Sequence, residues 1–452
     1  MYRRFRYRLK PSRYKRDLCL LTLTIFLFIQ YLSIKLFNWK ETPSPILSRL
    51  HSDKSLVFDL KSYSVCHPKQ LDVENLTNYY YSQYANKEIC FLIEHLDGGP
   101  WWSYVSHEFA EILTDLKRLG LESNINYRSL NLTSTGNLTR FLLNSCEFNE
   151  QNYFLNPSPI ILLLWDIDRL SWHELSSEWT FLLKSLSLHV LVFIDDLHYT
   201  NKKTFQTRQY LFEYITSEIF STYAYLFDNY YSNISSNKIT WLPHASSSLF
   251  SSAKINQTAR NLLFVSGARV FEWYPCRARA FILCHDRSDL ATCLQHPGYG
   301  EAMKNDSQFY YGGQRYYSYM RQYTFGLATC QSVHYAIAKL FELPANGLLL
   351  VTTDDLVDVL EKLHLNLNEH FLTVKCSSVN QLANGISNLQ ELSQEKLNKI
   401  RIKSQEIIHQ RHMTKHRAQL LHVRLLARAL IAVSTSDNER TIKWKSWGRI
   451  CD

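Results

Sequence analysis

Apolar residues in this chain fall into two patterns that take turns along it. Short unbroken runs occur at Ile89–Ile93, Ile160–Trp165, His189–Ile194, Leu262–Val265, Tyr323–Leu327, in the LLLV stretch after Gly347, and at Phe371–Lys375. Between them apolar positions recur every three or four residues, as at Val105, Phe109, Ile112 and Leu116. The runs predict strands buried on both faces, and the spaced segments predict helices. The helices are expected over about 103–119, 172–186, 379–392, 393–410 and 413–433. Strands that alternate with helices imply parallel sheets, and hence a doubly wound α/β fold. The polar stretch Ser246–Arg260 divides the series and reads as an interdomain linker. Residues 294–317, rich in Gly and Tyr, read as a surface loop leading into a helix.

The N-terminus has a different pattern. Eight basic residues lie within residues 1–16, and an apolar run follows from Leu18 to Ile34, reaching Phe37 past Lys35. About 20 apolar residues span a bilayer. With the positive flank first and no small-residue cleavage site, the expectation is an uncleaved signal-anchor with a lumenal body, a single-pass type II protein of the Golgi or endoplasmic reticulum membrane. The expected organisation is a cytosolic basic tail (1–17), a transmembrane segment (18–37), a stem (38–85), a first Rossmann-like domain (86–245) and a second (258–420). The helix end and tail follow (421–452).

Composition agrees with two real cores, since 46% of the 452 residues are hydrophobic. The net charge of +9 is concentrated in the first 16 residues, so the body has no electrostatic footprint for nucleic acid. Six N-x-S/T sequons follow the apolar run, at Asn75, Asn131, Asn137, Asn233, Asn256 and Asn305, and fit a lumenal glycoprotein. Nine of the ten cysteines lie beyond the run, an odd number that leaves at least one without an internal partner. Cys276, Cys284 and Cys293 are near enough for a local bridge, but connectivity stays open. No Cys or His pair has zinc spacing, so no metal site and no cofactor is expected.

The most informative stretch is Tyr335–Asp355, YAIAKLFELPANGLLLVTTDD. It predicts an amphipathic helix, a turn at Asn346-Gly347 and a buried strand ending in two Thr and two Asp. Lys339 and Glu342, three residues apart, share one helix face. This stretch resembles the signature of retaining GT-B glycosyltransferases, in particular the CgeB-like branch, with its family 1 type C-terminal domain. The passage Ser266-Gly267-Ala268-Arg269 … Tyr274-Pro275-Cys276-Arg277 is similar to one at the same place in CgeB-like sequences. Trp241-Leu242-Pro243-His244 resembles the strand, Pro, His passage that closes the first domain of many GT-B enzymes.

The resemblance implies a metal-independent transferase that moves a sugar from a nucleotide-sugar to a glycan, protein or lipid acceptor. The first domain would bind the acceptor and the second the donor. Glu342 would hold the ribose, its two oxygens suiting a vicinal diol. Arg269, Arg277 and Lys339 would neutralise the departing diphosphate, with Gly267 letting backbone N–H groups approach. Asn346 and Gly347 would form the turn that brings helix and strand to the donor.

On the acceptor side Asp195, Asp196 and His198 follow a buried strand, and Asp196 and His198 are the expected base and orienter. The Gly98-Gly99-Pro100-Trp101-Trp102 loop is a second acceptor candidate, whereas His244 reads as structural. Many retaining members carry an acid eight positions before the Glu, and here that position is His334. Two rival readings stay open: a GT-B-fold phospho-polyol transferase, and a lumenal protein that keeps the fold without the chemistry.

Overall fold

The computed structural model describes residues 76–78, 89–94, 106–130, 138–155, 158–165, 187–197, 202–295, 313–329, 332 and 334–433. The expected anchor (18–37), the stem, the helix over 172–186, the Gly98–Trp102 loop and His198 lie outside them. Among the described residues no helix is long and apolar enough to cross a membrane.

Two wholly parallel sheets carry the fold. The first contains β1 (Cys90–Glu94), β2 (Tyr127–Leu130), β3 (Ile160–Leu164), β4 (Leu188–Ile194), β5 (Thr216–Ser221) and β6 (Ile239–Trp241), ordered β2-β1-β3-β4-β5-β6. The second contains β7 (Arg260–Gly267), β8 (Ala291–Gln295), β9 (Tyr323–Leu327), β10 (Leu349–Thr352) and β11 (Phe371–Thr373), ordered β11-β10-β9-β7-β8. Each order reverses once, at β1 in the first sheet and at β7 in the second. Ligands of such sheets bind beyond the carboxyl ends of the strands at that reversal.

The apolar runs are buried as their continuity requires. Ile160–Leu164 and Leu349–Val351 are wholly inaccessible. The helices match their spacing: α1 is Ser106–Glu122, α2 Leu138–Ser145, α3 Glu150–Leu155, α4 Lys202–Tyr210, α5 Pro275–Asp286 and α6 Gly313–Met320. They continue with α7 (Lys339–Ala345), α8 (Val357–Lys362), α9 (Val379–Gln390), α10 (Gln394–Arg411) and α11 (Thr414–Ala432). Ser378 and Ser393 cap α9 and α10, accepting from Gln381 N and Lys396 N as good N-caps do.

The helix expected from Tyr335 begins at Lys339 instead: His334 takes φ +60°, and Ile337 N donates to Tyr335 O at 3.1 Å in a tight turn that precedes the helix. Gly326 on β9 lets α7 lie directly on the sheet: a Cβ there would stand 2.8 Å from Leu343 Cδ2.

The chain passes between the sheets twice, after β6 and again before α11. The two passages run side by side: Ser246 N donates to His412 O at 2.7 Å, and Thr414 N donates to Ser246 O at 3.0 Å. The second passage returns the chain to the first sheet. There α11 buries Leu421, Leu425 and Leu430 in the core formed by Phe91, Ile93, Phe109, Ile161 and Phe193. Among the described residues three disulfides fasten the body: Cys90–Cys146, Cys276–Cys376 and Cys284–Cys293.

One buried ion cluster joins α11 to the middle of the first sheet. Glu218 on β5 accepts from Arg424 Nε at 2.6 Å and lies 3.2 Å from Arg428 Nη2. Burial opposes the charged carboxylate, yet the two arginines hold it below its usual range. Removing one partner of such a cluster leaves buried charge unpaired. Glu218→Ala is expected to lose about 3–5 kcal/mol of stability, read as the shift in a denaturant titration.

Candidate functional site

The residues expected to meet a donor gather at the carboxyl end of β7, where the second sheet reverses its order. Ser266, the penultimate residue of the strand, shares a hydrogen bond of 2.7 Å with the Tyr316 hydroxyl from α6. Lys339 Nζ, in the first turn of α7, donates to the same hydroxyl at 2.9 Å. The Lys339 ammonium lies 4.0 Å from Glu342 Oε2. That oxygen is shielded from solvent and has no hydrogen-bond partner among the described residues. Burial pushes the Glu342 carboxyl above its usual range, Lys339 opposes this, Glu108 adds to it and His244 opposes it. The field at Glu342 therefore comes partly from the other half of the molecule.

Gly267 ends β7 at φ +111°, a backbone conformation that L side chains rarely adopt. The Arg277 guanidinium fills the space a side chain would need, with Nη1 only 2.9 Å from an ideal Cβ. Arg277 also stacks on the Tyr274 ring at 3.8 Å and is almost wholly buried. Pro275 starts its helix, where a missing N–H costs nothing. Arg269 is exposed on the loop beyond.

Asn346 and Gly347 are engaged elsewhere. The Asn346 amide accepts from Arg321 Nε at 2.5 Å and donates to Tyr317 O at 2.8 Å. Gly347 packs against Ile255 and accepts from Arg401 Nε at 2.8 Å. Their expected place at the donor thus becomes one of support: they fasten the turn after α7 to α6, the linker and α10.

A second group of polar side chains gathers at the carboxyl ends of β4, β5 and β6. The His244 ring, buried just after β6, stands between two carboxylates. Its Nδ1 lies 3.0 Å from Glu108 Oε2 on α1, and its Nε2 lies 3.3 Å from Asp195 Oδ1 after β4. The Tyr223 hydroxyl is 2.9 Å from the same Nε2. Burial opposes a charged ring, but Glu108 and Asp195 prevail and hold the imidazole protonated well above its usual value. The other Glu108 oxygen accepts from Ala245 N at 2.6 Å, and Thr222 Oγ1 donates to Asp195 Oδ1 at 2.8 Å.

The neighbouring Asp196 is exposed, and its backbone carbonyl accepts from Arg208 at 3.0 Å. It is thus Asp195 that this network holds. His198 lies outside the described residues.

A short strip joins the halves. Tyr335 stacks on Tyr223 with ring centres 3.8 Å apart, and Leu197 N donates to its hydroxyl at 3.2 Å. The Tyr225 hydroxyl donates to His334 O at 2.8 Å and accepts from Ala336 N at 3.0 Å. The His334 side chain pairs with Asp355 at 3.1 Å. Three residues after Ala336 comes Lys339, so α7 starts from a strip seated on residues that follow β4 and β5 of the first sheet.

The structure sets Arg277 over Gly267 at the end of β7, links Lys339 to Ser266 there through the Tyr316 hydroxyl with Glu342 beside it, and places Glu342 within the electrostatic reach of Glu108 and His244. Sequence reasoning gave no role to Glu108, Tyr223 or Tyr335. Only Glu108 gave a signal, as an acid beside Phe109 on an otherwise apolar helix face.

No family model matches this chain, and no curated protein matches it. Solved structures do resemble it. A glycosyltransferase from Rickettsia africae is 12% identical, covering 78% of this chain and 100% of its own, with a TM-score of 0.47. Anabaena Alr3699/HepE, solved with UDP and glucose, is 10% identical over 74% of this chain and 98% of its own, with a TM-score of 0.45. An alpha,alpha-trehalose-phosphate synthase (UDP-forming) from Burkholderia vietnamiensis is 9% identical over 74% of this chain and 98% of its own, with a TM-score of 0.44. Likeness at this level carries no argument about the chemistry of the present chain.

Two outcomes follow from this geometry. A protonated His244 stabilises the fold fully below the unfolded value of about 6.5, and that stability is lost as pH rises through the higher folded value. Denaturant midpoints of the wild-type chain should therefore fall from pH 6.5 upward, and His244→Gln should flatten that fall. Gly267→Ala should cost about 1–3 kcal/mol for its backbone conformation and should also displace Arg277, measurable as a lower melting temperature.

Proposed function

We propose that the chain is a glycosyltransferase that moves a sugar from a nucleotide-sugar donor to a hydroxyl-bearing acceptor. The observation that carries this reading is the Glu342 oxygen, buried beside the Lys339 ammonium at the reversal point of the second sheet without a hydrogen bond among the described residues. A buried acceptor atom left unpaired costs about 1–3 kcal/mol, a deficit that a ligand hydroxyl removes. A ribose diol offers two such hydroxyls.

In the reaction the acceptor oxygen bonds to the anomeric carbon as the bond from that carbon to the diphosphate breaks. The bonding pair leaves with the diphosphate, and the acceptor hydroxyl gives up its proton. The diphosphate needs cations, and Lys339, Arg277 and the exposed Arg269 are the ones this end of β7 provides. With protein cations in that role, the reaction is read as metal-independent, with no cofactor beyond the donor itself.

The anchor reading joins this proposal. Residues 18–37 would hold the protein in a Golgi or endoplasmic reticulum membrane with the body in the lumen. Three disulfides support an oxidising compartment for the body.

A thermal-shift series on the full chain with UDP, GDP, CMP and CDP, each with and without Mn²⁺, tests the donor site. One nucleotide should stabilise the chain, by about 2.7 kcal/mol at 100 times its dissociation constant, whether or not the ion is added. Glu342→Ala should weaken that nucleotide about tenfold or more, since each tenfold is about 1.4 kcal/mol. Unchanged affinity in this variant would remove Glu342 from the donor site.

A further inference from the structure

We infer that Asn233 is a site of N-linked glycosylation and that Asn256, the other sequon asparagine among the described residues, is not. The inference rests on the lumenal placement of the body proposed above and deepens it to a single side chain.

Both asparagines head an N-x-S/T triplet, Asn233-Ile234-Ser235 and Asn256-Gln257-Thr258. Such a triplet is the acceptor for oligosaccharide transfer in the secretory lumen. Its sequence does not separate the two sites, but the fold does.

Asn233 sits at the tip of a turn that leads into β6. Ile234 N donates to Tyr231 O at 3.1 Å and closes the turn. Tyr231 and Ile234 are buried at its base, whereas Ser232, Asn233 and residues 235–237 are exposed. The Asn233 amide makes no hydrogen bond among the described residues. Ser235 precedes a short helical turn, yet its side chain caps nothing there. Both polar side chains that the triplet requires therefore stand open to solvent. A bulky, hydrophilic group on the amide nitrogen displaces no contact of the fold.

At Asn256 the same groups are taken up by the structure. Nδ2 donates to Arg321 O at 3.1 Å. Oδ1 accepts from Thr258 N at 3.0 Å and from Thr258 Oγ1 at 2.9 Å. The Asn256 carbonyl accepts from Nη2 of the buried Arg401 at 3.1 Å. The amide nitrogen, the amide oxygen and the hydroxyl of this triplet thus fasten the linker to the approach to β9 and to α10. A sugar on Nδ2 would set a ring beside the Arg321 main chain at a half-buried position. Folded chains accordingly carry Asn256 unmodified.

The transfer itself is balanced. The Asn233 nitrogen bonds to the anomeric carbon of an oligosaccharide carried on a lipid diphosphate, and the bond from that carbon to the diphosphate breaks. The electron pair leaves with the diphosphate, and the nitrogen gives up one proton. A separate transferase of the compartment catalyses the step.

Site occupancy in the full chain, produced in cells with a secretory pathway and purified folded, tests this. Peptide N-glycosidase in heavy-oxygen water turns each glycan-bearing Asn into a labelled Asp, which peptide mass spectrometry locates. Label is expected at Asn233 and not at Asn256. Asn233→Gln and Ser235→Ala should each lose one glycan's step in gel mobility and keep the wild-type melting temperature. Asn256→Gln should keep the wild-type glycan pattern and melt lower, because it breaks a turn. Should that variant fail to fold, occupancy in the wild-type chain still decides.

An unlabelled Asn233 in a chain labelled at Asn75, Asn131, Asn137 or Asn305 overturns the inference and leaves the lumenal reading standing. A labelled Asn256 overturns it as well. Absence of label at all six sequons rejects the lumenal placement, and the inference falls with it.

Discussion

The arrangement of the two sheets depends on one buried guanidinium. Arg417, at the start of α11, is wholly inaccessible and forms no ion pair with a carboxylate among the described residues. Its donors go to Pro243 O at 2.8 Å, His244 O at 2.9 Å and Arg411 O at 3.1 Å, and Nη2 lies 2.9 Å from His412 Nδ1. Burial lowers its pKa to about 9, with Glu108 acting in the opposite sense. The partners belong to both passages between the sheets, so one side chain holds the two together. Any rotation of one sheet against the other must strain these bonds. Buried carbonyls left without donors cost about 1–3 kcal/mol each, which makes the closed arrangement of the passages strongly preferred.

The same demand for satisfaction separates structural charges from chemical ones. Glu108 is a deeply placed acid, but both its oxygens are used, one by Ala245 N and one by the His244 ring. Glu218 is deeper still and is matched by two arginines. Glu342 has Lys339 at 4.0 Å and an oxygen without a hydrogen bond among the described residues. Unlike those two acids it is left short of a partner, which agrees with the ligand-binding role proposed for it. That contrast, rather than the residue type, marks Glu342 out.

Much of the scaffold was legible from periodicity. β9 appears at the expected residues, and α9 to α11 fall within a residue or two of theirs, because unbroken apolar runs and capped amphipathic helices leave few alternatives. β5 escaped notice for a physical reason. Its sequence, Thr216-Ser217-Glu218-Ile219-Phe220-Ser221, looks too polar for an inner strand. It is inner only because α11 brings Arg424 and Arg428 to Glu218 from two hundred residues away. β2 and β8 are edge strands, where a single neighbour permits a weaker pattern.

For the site, the Lys339–Glu342 spacing and the strand–Gly–Arg passage showed in sequence because each lies on one element. The His244 network did not. Glu108, Asp195 and His244 are contributed by a helix, a strand end and an interdomain passage, and nothing local relates them.

The cysteines show how far local reading extends. Cys276, Cys284 and Cys293 were visible as a local group whose pairing stayed open, and Cys284 bonds Cys293, whereas the separations of 56 and 100 in the other two described bridges gave no hint of pairing. Yet the longest bridge matters most for the site. Cys276 is the residue before Arg277, and its bridge ties the first turn of α5 to the end of β11. Arg279 reinforces the link by donating to Cys376 O at 2.8 Å. The guanidinium laid over Gly267 is thus held from behind by a covalent bond and a hydrogen bond, and from the front by the Tyr274 ring. Closing about 100 residues with one bridge stabilises a fold by a few kcal/mol, mainly through the unfolded chain. Here the same bridge also fixes a cation at the strand end where a diphosphate would sit, so stability and preorganisation have one source.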